Sequence, residues 1–182
     1  NRGTIGGSIT HADASAELPA VAVVTGAELV LRSTRGDRIV AADDFFDGYF
    51  TTTLEPDEVL TSVRFPTAAP GTGVSVHEMA RRHGDFAMVA AMAQVTLRDG
   101  SCDDVRLALV NVSDRPYRAL DAEAVLRGSP PTDDAIAEAA QVATRDIEPV
   151  SDLHASSAYR TTVAKTLLRR ALNDAITNAR GA

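Results

Sequence analysis

Apolar positions along this 182-residue chain keep strand spacing in the first two thirds and helical spacing afterwards. Residues 17–24 (E-L-P-A-V-A-V-V) predict a short helix with Pro19 in its first turn, where a missing N–H does little harm. Residues 28–32 and 39–41 predict strands joined by the hairpin-like turn 33–38. The aromatic stretch 43–50 predicts a short helix tucked onto that sheet, and its rings read equally as plain core packing. Residues 60–65 predict the next strand, and the small, turn-forming residues 67–73 predict a linker.

Three further strands are expected at 74–80, 87–98 and 105–112, with a turn at 99–101. The middle one is ambiguous, because Ala90-Ala91-Met92-Ala93 is a helical composition inside a strand-like run. Helices are expected from Ala119 onward. Thr132 precedes Asp133 and Asp134 as an N-cap with acids in the first turn, and Ala135, Ile136, Ala139, Ala140 and Ala143 share one face of a helix ending before Pro149. The closing helix carries Val163, Leu167, Ala171, Leu172, Ala175 and Ile176 on one face, with Lys165, Arg169, Arg170 and Asp174 pointing elsewhere. Strands followed by helices give an α+β chain with helices on one face of an antiparallel sheet.

Composition narrows the function classes. The formal net charge of −7 makes nucleic acid a poor partner. A lone cysteine, Cys102, excludes a disulfide framework within the chain and fits a reducing compartment. It also falls short of the roughly four thiolates that an iron–sulfur cluster needs. No apolar run approaches the roughly 20 residues of a membrane span, so a cytoplasmic protein is expected. His11, His77, His83 and His154 lack the companions of a metal motif, and no metal ligand is assigned.

The candidate chemistry lies at the front. Gly6 and Gly7, flanked by Thr4 and Ser8, are expected to form a loop whose N–H groups turn inward around an anion such as a diphosphate. Glu17 adds a carboxylate able to accept from sugar-like hydroxyls. A Gly-Gly-Ser segment also reads as an ordinary turn. The G-x-G-x-x-G spacing, a P-loop lysine and a G-x-S-x-G elbow are all missing.

Residues 4–19 (T-I-G-G-S-I-T-H-A-D-A-S-A-E-L-P) resemble the second FAD-binding motif of the flavoprotein subunits of molybdenum hydroxylases. These are the medium subunits of aerobic carbon monoxide dehydrogenases and of their xanthine dehydrogenase relatives. Residues 55–66 resemble the strand closing that family's FAD domain, 77–87 the opening of its C-terminal domain, and 158–172 its last helix. The resemblance implies the C-terminal half of a PCMH-type FAD-binding domain over 1–66 and a linker at 67–73. A small domain with a three-stranded antiparallel sheet and helices would fill 74–182.

It also implies roles. Thr4, Ile5, Gly6, Gly7 and Ser8 would line the FAD diphosphate, Glu17 would meet the flavin's hydroxylated chain, and Leu60 would pack near its ring. Leu60 taken by itself reads as a core leucine. His77 would join the cofactor-binding residues close to the flavin ring, where relatives often carry lysine, and a neutral imidazole there supplies less charge to a reduced flavin. Residues 110–114 depart from a glycine-bearing stretch of relatives, and no role is assigned there. Arg81 and Arg82 read as a solvated pair or as contacts for an acidic partner surface.

The implied function is electron transfer through FAD to NAD, a quinone or oxygen, with no catalytic side chain in this chain. The implied partners are an iron–sulfur small subunit and a molybdopterin large subunit, forming a heterotrimer that dimerises. The chain opens at Asn1, so the family's first glycine-rich loop is expected on a preceding segment or a separate chain. These residues alone are expected to bind FAD weakly and to be inactive. A subunit-docking protein with a lapsed flavin site is the alternative, and a small-ligand module outside redox chemistry is a third.

Overall fold

The computed structural model describes residues 3–82 and 84–182; Asn1, Arg2 and His83, one of the four histidines weighed above, lie outside the described residues. Two short helices open the chain, α1 (Ile5–His11) and α2 (Glu17–Thr25). Strands β1 (Glu28–Ser33) and β2 (Gly36–Ala41) form a hairpin, followed by a 3₁₀ turn at Ala42–Asp44. A small ribbon, β3 (Phe46–Gly48) with β4 (Thr51–Thr52), precedes β5 (Val59–Arg64). The strands order β2-β1-β5, all antiparallel.

The second sheet orders β6 (Thr72–Met79), β7 (Val89–Arg98), β8 (Ser101–Val110) and β9 (Tyr117–Arg118). It is followed by α3 (Leu120–Leu126), α4 (Asp133–Ala143) and α5 (Ser157–Arg180). The three long strands expected are thus joined by a two-residue fourth, β9, whose Arg118 pairs with Ala108. Thr132 caps α4 as expected, its hydroxyl accepting from the Ala135 N–H at 3.2 Å. The turn at Asp99-Gly100 has both residues at positive φ, the geometry that closes a tight hairpin.

Two local expectations change. The segment expected as a phosphate loop is helix α1, because Thr4 caps it and fully buried Ile9 anchors it on the first core. Cap and anchor outweigh the cost of each helical glycine, roughly 1 kcal/mol. The 43–50 stretch is a 3₁₀ turn and a hairpin arm, since Gly48 at φ 155° and Phe50 at φ 52° cannot continue a helix. Its first aromatics do reach the core: Phe45 and Phe46 are buried edge-to-face, centroids 5.2 Å apart.

Helix α2 joins the two sheets. Ala22 and Val23 pack with Ile9, Leu29, Leu31 and Phe45 of the first core. Ala20 and Val24 pack with Ala90, Met92, Ala108 and Val110 of the second sheet. Strand β7 is therefore covered twice, because Val89, Ala91, Ala93 and Val95 face α5 on its other side. That double cover explains its alanine-rich sequence: a strand buried on both faces loses alternation, and small side chains let both helices approach. Among the described residues no helix is long and apolar enough to cross a membrane.

One surface pair gives a pH prediction. The Arg38 guanidinium donates twice to Glu58, which also accepts from the Glu55 N–H. These bonds lower the Glu58 carboxyl to about 2, with the Arg38 bond the largest cause. The unfolded chain titrates this group near about 4.3. The pair's contribution to stability is therefore complete above that value and is lost as pH falls toward 2. Carboxyl chemical shifts in an acid titration check this; a Glu58 midpoint near its unfolded value contradicts it.

Candidate functional site

The N-terminus of α1 is the first part of the site. Thr4 Oγ1 accepts from the Gly7 N–H at 3.0 Å, so that amide is spent inside the helix. The N–H groups of Ile5 and Gly6, in the first turn, have no acceptor within the helix. They leave a partially positive end that suits an anion. The absence of side chains matters in two ways. A Cβ at Gly7 would lie 2.9 Å from Thr4 Oγ1 and disturb the cap, and one at Gly6 would lie 3.9 Å from Leu60 Cδ2. Gly6 and Leu60 are thus brought together, with Leu60 half-buried at the edge of the first core and Ile5 half-exposed beside the helix end. Ser8 follows half-buried in the same helix.

The α1–α2 turn leads to the second part. Glu17 opens α2 and borders a groove with Glu78, Ala80, Gly84 and Asp85. Gly84 and Asp85 also border a larger cavity of about 680 Å³, within the range of small-molecule sites. Its walls come from Asp13–Ser15, from Tyr49 and Phe50, from Gly84–Met88, and from Asn111, Asp152, His154 and Arg160. Phe50 and Phe86 stand on this rim about 60% exposed.

Backbone strain collects here. The described non-glycine residues at positive φ are Ala12, Phe50, Asp99 and Asn111. Asp99 belongs to the β7–β8 hairpin, whereas Phe50 and Asn111 line the cavity and Ala12 adjoins it. Such strain persists only where surrounding structure enforces it, and it concentrates at ligand sites. The Phe50 N–H donates to Ala12 O at 3.1 Å, and the Asn111 N–H to Ala14 O at 2.9 Å.

Arg160, 2% exposed, donates to Met88 O and, at 2.6 Å, to Asp152 Oδ2. Its Nε has no partner among the described residues. Burial pushes the Asp152 carboxyl up, but the Ala155 and His154 N–H groups together with Arg160 outweigh it and hold it below its ordinary value. Arg81, expected to be solvated or to meet an acidic surface, donates to His154 Nδ1 at 3.1 Å.

His77 does not join Glu17. On β6 it pairs with Ala91, which packs toward α5, and its Nε2 lies 2.7 Å from Asp174 Oδ2 of that helix. Glu78, beside Glu17 in the groove, pairs instead with Ala90 on the α2 face. Asp174, expected to point away from the sheet, is the partner that turns His77 aside. Asn111 and Arg160 had no assigned role from sequence. The available signal for Asn111 was its place where relatives tend to have glycine, because asparagine is, after glycine, among the residues that best tolerate a left-handed backbone.

The geometry has independent parallels. Residues 74–175 match the CO dehydrogenase flavoprotein C-terminal domain, and residues 1–68 match the FAD binding domain in molybdopterin dehydrogenase. The chain is 36% identical over 181 residues to the 6-hydroxypseudooxynicotine dehydrogenase complex subunit alpha of Paenarthrobacter nicotinovorans, covering 99% of this chain and 61% of that protein. It is 35% identical to the carbon monoxide dehydrogenase medium chain of Afipia carboxidovorans, covering 98% of this chain and 62% of that one. A solved carbon monoxide dehydrogenase from Hydrogenophaga pseudoflava superposes with a TM-score of 0.96 at 38% identity, over 98% of this chain and 62% of its own. The chain thus spans about three fifths of the length of these relatives. It belongs to the CO dehydrogenase flavoprotein family, the FAD-binding medium subunits of molybdenum hydroxylases.

Proposed function

We propose that this chain supplies one side of the FAD site in the electron-transfer subunit of a molybdenum hydroxylase. The observation that carries the reading is the glycine-bearing N-terminus of α1, set against Leu60. The residues suit the cofactor. The Ile5 and Gly6 amides can donate to a diphosphate, and bare Gly6 and Gly7 let it approach. Thr4 keeps its hydroxyl proton to donate, and Ser8 brings a second hydroxyl. Leu60 gives an apolar surface for the ring, and Glu17, one short helix away, accepts from the hydroxylated chain.

When bound, FAD supplies the conversion between electrons arriving singly from iron–sulfur clusters and a two-electron delivery to NAD, a quinone or oxygen. The chain's own part is to bind and orient, and no side chain serves as acid or base. The partners in this reading are an iron–sulfur small subunit and a molybdopterin large subunit in a dimerised heterotrimer. A cytoplasmic setting fits the single thiol, Cys102, whose pKa burial pushes up. His77, held by Asp174, is left out of the cofactor site. Taken alone, these residues hold FAD weakly and turn over no substrate, since one helix end and one carboxylate make few of the required bonds.

The test is flavin retained by the assembled subunit, read from visible absorbance after gel filtration. Gly7→Val is expected to weaken FAD binding about a hundredfold or more. The added branch blocks the diphosphate, removing two charge-assisted bonds of roughly 1.5–3 kcal/mol each. Riboflavin, lacking the diphosphate, is expected to bind equally poorly to both proteins. Retention of FAD by a folded Gly7→Val protein, or riboflavin binding as tight as FAD in the parent, overturns the reading.

A further inference from the structure

We propose that Asn111 is a positioning residue that ties together two walls of the 680 Å³ cavity, and that its amide with Arg160 fixes the Gly84–Met88 rim. Asn111 directly follows β8 at φ 60°, a left-handed backbone that asparagine tolerates better than most other residues with a side chain. From that position its two nitrogens serve different walls. The backbone N–H donates to Ala14 O at 2.9 Å, holding the turn between α1 and α2. The side-chain Nδ2 donates to Ala87 O at 2.8 Å, holding the rim that carries Phe86. Arg160, from α5, takes the next carbonyl along, Met88 O. Two successive rim carbonyls are thus bound by side chains from two different elements. On the other side, the Met88 N–H donates to Met79 O at 2.8 Å, so this amide reports whether the rim stays closed.

A glycine at position 111 would keep the left-handed backbone and the bond to Ala14, but would leave the Ala87 carbonyl without its donor. The amide therefore adds rigidity that the backbone conformation alone does not require. The rim borders the groove of Glu17, so its placement sets the space open to a ligand there. That last step, toward flavin, rests on the FAD reading above.

The experiment is amide hydrogen exchange on the full chain, comparing the parent with Asn111→Gly and Asn111→Asp. Glycine preserves φ, and an ionised aspartate of the same size cannot donate. In both variants the Met88 amide is expected to exchange about three- to tenfold faster, the equivalent of one lost hydrogen bond. Amides of the β7–β8 ladder are expected to keep their rates. Unchanged exchange at Met88, or a uniform rise across the sheet, overturns the clamp. Flavin retention by Asn111→Gly in the assembled subunit is expected to fall by a similar factor. If Met88 is freed and retention is unchanged, the link from rim to flavin is overturned. The diphosphate reading is judged separately, by Gly7→Val.

Discussion

Gly73→Val is expected to destabilise the chain by more than about 4 kcal/mol, lowering its thermal midpoint by roughly 8–16 °C. Gly73 is buried on β6 opposite Val95, on the face that meets α5. A Cβ there would lie 2.0 Å from Ala175 O, 2.3 Å from Ala179 N and 2.9 Å from the Asn178 carbonyl carbon. All three are helix backbone atoms, which cannot rotate aside as a side-chain tip can. Either α5 lifts from the sheet or β6 leaves its register with β7. Both outcomes open the packing of Ala171, Ala175 and Ala179, and both strain the bond from Asn178 Nδ2 to Val74 O at 2.9 Å. Thermal and urea unfolding of the full chain check this. A loss below about 1 kcal/mol would mean that α5 can rise without cost, contrary to close-packed interiors.

The second large effect is expected at Arg118→Met, at about 3–5 kcal/mol. Glu123 is fully buried beneath the second sheet, out of reach of bulk solvent. Arg118 Nε and Nη2 hold its two oxygens at 2.9 and 3.1 Å, while the Leu107 N–H donates to it at 2.9 Å. Removing Arg118 leaves this carboxylate with Arg127 Nη2, 3.5 Å away, as its remaining cation among the described residues. The Arg118 guanidinium also bonds Asp43 of the 3₁₀ turn, and Asp43 pairs with Arg106 at 3.3 Å. Arg106 in turn donates to Val23 O and Val24 O at the C-terminus of α2. The loss therefore reaches the junction between the two sheets. The double variant Arg118→Met/Glu123→Gln is expected to recover part of the cost, because a neutral amide still accepts from Leu107 and leaves no unpaired charge. A double-mutant cycle by chemical denaturation measures this; additive losses would mean that the pair is not coupled.

Much of the architecture is legible in the residues themselves. The hairpin of β1 and β2, the tight turn at Asp99-Gly100, the Thr132 cap and the apolar stripe of α5 all rest on contacts between near neighbours in sequence. The front segment was not legible as geometry. Two adjacent glycines argue for a loop, and the Thr4 cap together with the burial of Ile9 against β1 and α2 makes the segment helical. Residues 43–50 show the same limit: an aromatic cluster announces a core, yet Gly48 and Phe50 decide that the backbone bends into a ribbon.

The cavity was the least legible part. Its walls combine Asp13, Phe50, Gly84, Asn111 and Arg160, which no spacing rule connects. The bond that turns His77 away from Glu17 joins positions 97 residues apart. Local periodicity and capping chemistry fixed the class of fold, because each acts within a few residues. The strand character of Ala90–Ala93, the orientation of His77 and the carbonyl clamp at Ala87 were decided only by tertiary structure. Each depends on what a distant segment places against it, and burial and hydrogen bonding at such range leave no periodic trace in the sequence.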